Sequence, residues 1–345
     1  MTRRTAIQPD LFAAEEHRAK LERLGDPLQE MEAVIDFAAL AAAVEKIAPL
    51  KDQPKGGRPP YPIETMVRIV VLKRLYGLSD EQMEFQLLDR MSFKRFCGLE
   101  HSRTVPDRTT IWLFENRIGA AGAQALFEAV KRQIERKGYI ARGGQIVDAT
   151  LVRAPRQHFS RDEQEIVERR AMPRGWSPAK RRQKDLDASW TKKHGKSHYG
   201  YKLSVCVDRK HKLIRRLKTD TASTHDSQHF EALLDSGNTC RDVYADRGYA
   251  SKEREETLQA KGYRPQIQRK AKPHRPLPKR QKARNTRIAR VRARVEHVFA
   301  AIEHMGGKMI RTIGRARADF ALTLMAACYN LRRTVWLVKS GAIPW

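Results

Sequence analysis

The stretch that decides the fold is Asp242-Val-Tyr-Ala-Asp-Arg-Gly-Tyr249, a short apolar run that ends in a carboxylate and a glycine turn. Such a run, bounded by turn residues, predicts a buried strand. In an open α/β sheet, ligands bind in the crevice beyond the carboxyl ends of the strands. The stretch therefore predicts an α/β domain with Asp246 at the functional edge of its sheet. An Asx turn or a helix cap is the plain alternative for Asp246.

Two further carboxylates lie in regular elements far away in the sequence. Asp148 interrupts the predicted strand Gln145-Ile-Val-Asp-Ala-Thr-Leu-Val152, and Glu296 lies in a long helix predicted from about Thr286 to His304. Metal-dependent phosphoryl transfer needs several carboxylates that converge, because hard cations prefer oxygen ligands. A solvent-facing strand residue is the alternative for Asp148. For Glu296 the alternative is a surface ion pair with Arg292, four residues before it.

The positive charge of the chain is concentrated in two tracts. The 345 residues carry 68 Lys and Arg against 40 Asp and Glu, a formal charge of +28. Between Gly262 and Arg294 there are 13 basic and no acidic residues, and between Arg153 and Lys196 there are 13 basic and six acidic. Concentrated basic tracts favour contacts with phosphates and the release of counterions. The charge therefore predicts a nucleic-acid partner rather than a membrane surface.

Cysteine usage and hydropathy exclude several other classes. The four cysteines are far apart in the sequence, so we expect neither a disulfide scaffold nor a zinc finger. We do expect a reducing compartment. The first residues lack the apolar core of a signal peptide. No run of about 18 apolar residues is present, so we expect no membrane span. These features predict a cytoplasmic protein.

The first part of the chain is predicted to be helical. Residues 1–55 form a helical segment that ends in a Pro- and Gly-rich linker, and residues 56–138 form a compact unit of short helices. Ser79 and Asp107 are predicted N-caps. The turn between short helices, the second of them led by polar side chains, suits a helix-turn-helix DNA reader. A packing or dimerisation role for this unit is the alternative.

The remainder, residues 139–345, has the order strand, hairpin strands, helix, strand, helix, strand, helix. This order predicts a mixed central sheet flanked by helices. Within it, the basic insertion at about 153–197 contains several prolines and is predicted to be a long loop or a partly ordered segment.

Four groups of short motifs follow one another in a fixed order along the chain. They are Arg58-Pro-Pro-Tyr-Pro62 with Leu75-Tyr-Gly-Leu-Ser-Asp80 and Asn116-Arg117; Val147-Asp-Ala-Thr150 with Ala154-Pro155; Tyr199-Gly-Tyr-Lys202, Thr224-His-Asp-Ser227 and Ala245-Asp-Arg-Gly-Tyr249; and Arg292-x3-Glu296. In order and spacing they resemble the DDE-class transposases of the insertion-sequence-five family of bacterial mobile elements. The resemblance covers about residues 25–335.

The resemblance implies an RNase H-like catalytic domain behind an all-helical domain. It implies that Asp148, Asp246 and Glu296, which are 98 and 50 positions apart, hold Mg²⁺, with Mn²⁺ as a substitute. The implied reaction is nicking at the terminal inverted repeats, followed by attack of the freed 3′-hydroxyl on target DNA. The implied partners are double-stranded DNA and further copies of the chain, at least a dimer, in the nucleoid of a bacterial cell. The implied DNA contacts are Arg292, Arg247, Arg294, Lys308, Thr109, Thr110 and Arg117.

The chain departs from the family signature at two positions. Where the family has Tyr and Lys beside the Arg-x3-Glu motif, this chain has Ala289 and Glu303. Glu303 is seven residues from Glu296 and is the competing third carboxylate, and Arg292 sets the register that favours Glu296. Two other functions stay open: a DNA-binding regulator that has lost catalysis, and an RNase H-like nuclease that cuts DNA without joining it.

Overall fold

The first part of the chain is helical in the computed structural model. The structure describes residues 10–50, 59–169, 171–193, 195–271 and 274–343, so most of the predicted linker, residues 51–58, lies outside the described residues. The helices before the first strand are α1 (Ala13–Leu24), α2 (Pro27–Val34), α3 (Phe37–Ile47), α4 (Ile63–Leu75), α5 (Asp80–Asp89), α6 (Met91–Phe96) and α7 (Arg108–Arg136). The helices α4 to α7 are called the helical unit below.

Local side-chain caps fix where these helices begin. Ser79 and Gln82 form a reciprocal capping box at the start of α5. The Asp107 carboxylate accepts a hydrogen bond of 2.6 Å from the Thr110 amide at the start of α7. Both predicted N-caps are therefore confirmed. Gly119, with φ of +52°, kinks α7 and divides it into the two shorter helices that the sequence indicates.

The second part alternates strands and helices. The elements are β1 (Gln145–Arg153), α8 (Arg161–Glu168), α9 (Pro178–Gln183), β2 (Ser189–Lys193), β3 (Lys196–Asp208), β4 (Ile214–Thr221), α10 (Phe230–Leu233), β5 (Asp242–Ala245), α11 (Lys252–Ala260), β6 (Arg264–Ile267), α12 (Lys279–Ile302) and α13 (Arg315–Lys339). A π-helical turn, Glu303–Gly307, follows α12 directly.

The strands form one mixed sheet of six. Its order is β2-β3-β1-β5-β6. The strand β4 also pairs with β3, along residues 201–207, whereas β2 pairs with residues 196–200. The strand β1 is antiparallel to β3 and parallel to β5, and β5 is parallel to β6. The predicted mixed central sheet is confirmed.

The basic insertion is more regular than predicted. The sequence suggests a long loop, but the structure contains α8, α9 and the strand β2, which extends the sheet through a hairpin with β3. Ser160 and Glu163 close a capping box on α8, and Glu163 also accepts a hydrogen bond of 2.7 Å from the Trp176 indole. These short-range polar contacts order a segment that has little apolar periodicity.

The helical unit and the sheet share one hydrophobic core. The helix α13 carries most of it, because it packs against α7 and α4 on one side and against β4 on the other. A second, smaller core lies between the opposite face of the sheet and α10 and α11. The helix α12 lies on the first face, across β1 and β5. The helical unit and the C-terminal helix α13 thus pack into one common core with the sheet.

Two predictions from composition can be compared with this fold. All four cysteines are free, as expected from their isolated positions. In the part of the chain that the structure describes, no helix is both long and apolar enough to cross a bilayer.

Candidate active site

The structure brings Asp148, in β1, and Asp246, directly after β5, to matching positions on neighbouring segments. The recorded pairs of β1 with β5 are Gln145 with Val243 and Ile146 with Tyr244. The two aspartates continue this register two residues further along. Adjacent parallel strands lie about 4.8 Å apart, so both carboxylates belong to one site at the sheet edge that the sequence predicts.

Asp246 is held by the turn that follows β5. Its Oδ1 accepts a hydrogen bond of 2.7 Å from the Gly248 amide, and Arg247–Tyr249 form a single 3₁₀ turn. A β-carbon at Gly248 would lie 2.8 Å from this same oxygen. A side chain at Gly248 would therefore displace the Asp246 carboxylate, and the Asx-turn alternative describes the local geometry of Asp246 correctly.

Asp148 is largely removed from solvent. Its side chain is 13 % exposed, and its Oδ2 accepts a hydrogen bond of 2.6 Å from Arg292 Nη2. Burial raises the pKa of Asp148, the Arg292 guanidinium opposes this change, and the neighbouring Asp246 carboxylate adds to it. The solvent-facing alternative for Asp148 is therefore wrong.

Arg292 reaches the sheet from α12. Val295 and Val298 are fully buried, so one face of this helix packs against the core. Arg292 Nη1 donates a hydrogen bond of 3.2 Å to Gln268 Oε1, directly beyond β6. Sequence reasoning missed Gln268, although it follows the strand next to β5 and the strand-end rule that selects Asp246 applies to it equally.

Glu296 lies one turn further along α12 and is exposed. Among the described residues it forms no ion pair, so the predicted surface pair with Arg292 is replaced by the Arg292–Asp148 pair. In the same part of the chain, no three His, Cys, Asp or Glu side chains are grouped closely enough to hold a metal ion. The two aspartates fit a divalent cation in chemistry and in placement, whereas Glu296 fits in chemistry alone.

A buried tyrosine completes the inner wall of the site. Tyr249 packs against Phe230 with 5.1 Å between ring centroids, and its hydroxyl is buried without a hydrogen-bond partner. Burial raises the pKa of Tyr249, and the carboxylates of Asp226, Asp148 and Asp246 raise it further. A hydroxyl in this setting stays protonated, and Tyr249 belongs to the second core, so its setting is that of a packing residue rather than a nucleophile.

Comparison with protein families identifies the chain. Residues 141–331, more than half of the chain, match the transposase DDE domain, and residues 15–117 match a transposase domain (DUF772). The chain belongs to the transposases with a DDE domain. Among solved structures it is similar to a cryo-EM structure of the piggyBac transposase synaptic complex with hairpin DNA. That similarity has 12 % identity and a TM-score of 0.45, and it covers 93 % of this chain and 77 % of that chain.

The family and the mixed sheet together give the transposase an RNase H-like fold, with helices ahead of the sheet. The matched DDE domain contains both aspartates and Glu296. In its general class the chain is an enzyme of DNA cleavage and transfer.

The predicted DNA contacts of the transposase are spread over two regions. Near the carboxylates, Arg247 is exposed, but Arg294 donates a hydrogen bond of 2.7 Å to the Arg209 carbonyl. Lys308 is exposed and lies 3.4 Å from Glu303. The structure thus places Glu303, the competing carboxylate, in the π-helical turn beside this lysine.

The other predicted contacts lie on α7. Thr109 and Arg117 are exposed, and Thr110 is half-buried. Thr110 and Arg117 line a groove of about 350 Å³ with Pro59 and Tyr61. These α7 residues are distant in sequence from the carboxylates, and the groove that Thr110 and Arg117 line is a second candidate DNA-binding surface.

Proposed function

We propose that this transposase binds the terminal inverted repeats of an insertion sequence and catalyses Mg²⁺-dependent strand cleavage and strand transfer. The observation that carries the proposal is the matched placement of Asp148 in β1 and Asp246 directly after β5, beneath the helix that carries Arg292 and Glu296. The motif order further supports membership of the insertion-sequence-five family and a place in the bacterial nucleoid.

The aspartates and Glu296 would hold the metal ion, with Mn²⁺ as a substitute for Mg²⁺. When bound, such an ion supplies stabilisation of the charge that develops on the transferred phosphoryl group. Arg292 donates a hydrogen bond to Asp148 Oδ2 in the structure, so its guanidinium would compete with a bound cation for this oxygen. A DNA phosphate is the natural second partner for the freed guanidinium, since Arg forms two-pronged contacts with phosphate.

The remaining residues of the proposal bind DNA around this centre. Arg247 would contact the phosphates next to the scissile bond, and Lys308 and Arg294 would contact the backbone further away. Thr109, Thr110 and Arg117 of α7 would read the repeat, as in a helix-turn-helix reader. Joining two element ends requires at least two copies of the chain on DNA.

A cleavage and strand-transfer assay tests the proposal. Labelled duplexes that carry the element ends are incubated with Mg²⁺ and the wild-type protein, the Asp246→Asn variant or the matched Asp242→Asn control. Asp242 lies at the start of the same strand and pairs with Arg264 at 2.9 Å. We expect 3′-hydroxyl ends and joined products with the wild type and the control, and neither with Asp246→Asn.

Two other outcomes would redirect the proposal. Binding of the ends without cleavage by any of the three proteins would favour the inactive regulator. Cleavage without joined products would favour a nuclease.

A further inference from the structure

A large cleft separates the helical unit from the segment that follows α12. Its volume is about 950 Å³. One wall is formed by the end of α4, the start of α5 and the middle of α7, and the other by residues 305–312 and the start of α13. The cleft lies outside the carboxylate site, and of its lining only Lys308 is among the DNA contacts that the family resemblance implies.

The charges of the cleft are unbalanced toward positive. On the helical wall, Glu115 pairs with Lys73 at 2.9 Å and with Arg74 at 3.2 Å, and Asp80 pairs with Lys73 as well. These four charges cancel, and no other carboxylate belongs to the described lining. On the opposite wall, Lys308, Arg311 and Arg317 are all exposed.

One face of α7 offers an aromatic surface to the same cleft. Trp112 is 48 % exposed, and Asn116 follows it on the same face, four residues later. Met309, which is 44 % exposed, belongs to the opposite wall. A different face of α7, with Thr110 and Arg117, lines the smaller groove.

The cleft is continuous with the carboxylate strand. The Arg153 amide donates a hydrogen bond of 3.1 Å to the Lys308 carbonyl, and the Ile310 amide donates one of 2.8 Å to the Arg153 carbonyl. The wall of the cleft therefore runs beside the end of β1. Asp148 is five residues earlier in that strand, which is about 17 Å at about 3.4 Å per residue.

We propose that this cleft binds the DNA strand that extends from the carboxylates, with its phosphates on Arg311 and Arg317 and its sugar and base surface on Trp112. Exposed cations beside an exposed aromatic ring match the charged backbone and the flat bases of a nucleic acid. The proposal rests on the proposed DNA-processing function and adds a third contact region to it.

Salt-dependent binding tests the phosphate contacts. The probe is a duplex of roughly 30 base pairs of random sequence, because phosphate contacts do not depend on sequence. We expect the Arg311→Ala/Arg317→Ala variant to lower the slope of log K against log salt concentration by about two, since each lost contact contributes about 0.9. The matched control is Lys252→Ala/Lys261→Ala, two exposed lysines beside the second core, which should leave the slope unchanged.

Photocrosslinking tests the aromatic contact. A duplex of the same length with a single-stranded overhang that carries 5-iodouracil should crosslink to the peptide that contains Trp112, because only unpaired bases can stack on a ring. The Trp112→Ala variant should lose about tenfold in affinity, as for a lost stacking contact. Phe85→Ala removes an even more exposed ring of the helical unit, 62 % exposed, and should leave the affinity unchanged.

Three results would overturn the proposal: an unchanged salt slope, a crosslink outside the cleft, or an effect of the variants on self-association alone, which would make the cleft a protein-docking surface. Because the probe has random sequence, these outcomes are independent of cleavage at element ends. A protein that fails to cleave but shows the altered slope would refute the proposed function and leave the cleft as a DNA site.

Discussion

Arg292 Nη2 donates a 2.6 Å hydrogen bond to Asp148 Oδ2, across 144 residues of sequence. This pair places a positive charge on an oxygen that the proposed metal ion also needs. The protein without DNA is therefore stabilised in an arrangement in which one ligand is already engaged. Binding of a phosphate would move the guanidinium to a new anion and leave the carboxylate for the cation.

Replacing Arg292 should separate metal binding from DNA cleavage. We expect Arg292→Gln to bind Mn²⁺ about tenfold more tightly in the absence of DNA, because a competing unit charge close to Asp148 is removed. Cleavage should slow, because a phosphate contact is lost. Calorimetric titration and the cleavage assay measure the two effects, with Lys252→Gln, at a lysine of α11 that is 92 % exposed, as the control. Unchanged or weaker Mn²⁺ binding would show that Arg292 does not compete for the site.

Metal binding should also stabilise the folded protein through the aspartates. At a Mg²⁺ concentration 100 times the dissociation constant, a single site adds about 2.7 kcal/mol to the free energy of unfolding. We expect this increment in the wild type and in Asp242→Asn, and its loss in Asp246→Asn. Urea unfolding with and without Mg²⁺ measures it. An equal increment in all three proteins would place the metal ion elsewhere.

The buried His211 should make the fold sensitive to acid. Burial, together with the surrounding Lys210, Arg215 and other cations, lowers the pKa of His211 to about 4, from the ordinary value of 6.5. As the pH falls below 6.5, the unfolded chain gains a proton that the folded chain resists. The fold therefore loses stability until the pH reaches about 4, by about 3 kcal/mol for this difference in pKa.

Urea unfolding at pH 7 and at pH 4.5 measures this contribution against the His211→Gln variant. The wild type should lose more stability than the variant between the two pH values. Equal losses would mean that His211 is protonated normally in the folded protein.

The charge cluster of the helical unit should be sensitive to the loss of one member. Lys73 is buried between Asp80 and Glu115. We expect Lys73→Met to lower the free energy of unfolding by about 2 kcal/mol, because Asp80 loses the cation that it pairs with and Glu115 keeps only Arg74. Lys252→Met, at an ion-paired lysine that is 92 % exposed, should change it by less than about 0.5 kcal/mol. Similar values for both variants would contradict this interpretation.

Gly200 should tolerate no side chain. It lies in β3 opposite the end of β1 with φ of +150°, and a β-carbon there would be 2.2 Å from the Val152 carbonyl oxygen. We expect Gly200→Ala to cost about 3 kcal/mol in strain and displaced strand pairing. Gly175→Ala meets no atom within 4 Å and should be neutral. Chemical unfolding distinguishes the two, and a stable Gly200→Ala protein would argue against this strand register.

The sequence predicts the elements whose apolar periodicity is strong. Both strands that carry aspartates, the buried face of α12 and the two-part helix α7 are evident from it. The short helices α8 and α9 are not, because single Ser caps and polar contacts such as that of Trp176 with Glu163 order them. Composition in that segment is dominated by charge, which hides such local signals.

The candidate site is predicted in its members and only partly in its contacts. Strand ends locate Asp246, and the family register locates Glu296. The partner of Arg292 is not evident from the sequence. Glu296, four residues after Arg292, looks as favourable a partner as Asp148, which is 144 residues before it. Long-range pairs depend on how α12 lies across the sheet, and no local pattern encodes that crossing.

The helix α13 holds the helical unit and the sheet of the transposase in a fixed relative arrangement. The buried side chains of α13 belong to the core that the helical unit and the sheet share. Neither the helical unit nor the sheet can therefore rotate relative to the other without opening that core. The fold therefore fixes the distance between α7, which is proposed to bind the DNA, and the carboxylates of the proposed cleavage site. A cut made by this protein should fall at a constant number of base pairs from the gripped sequence, whatever DNA lies beyond it.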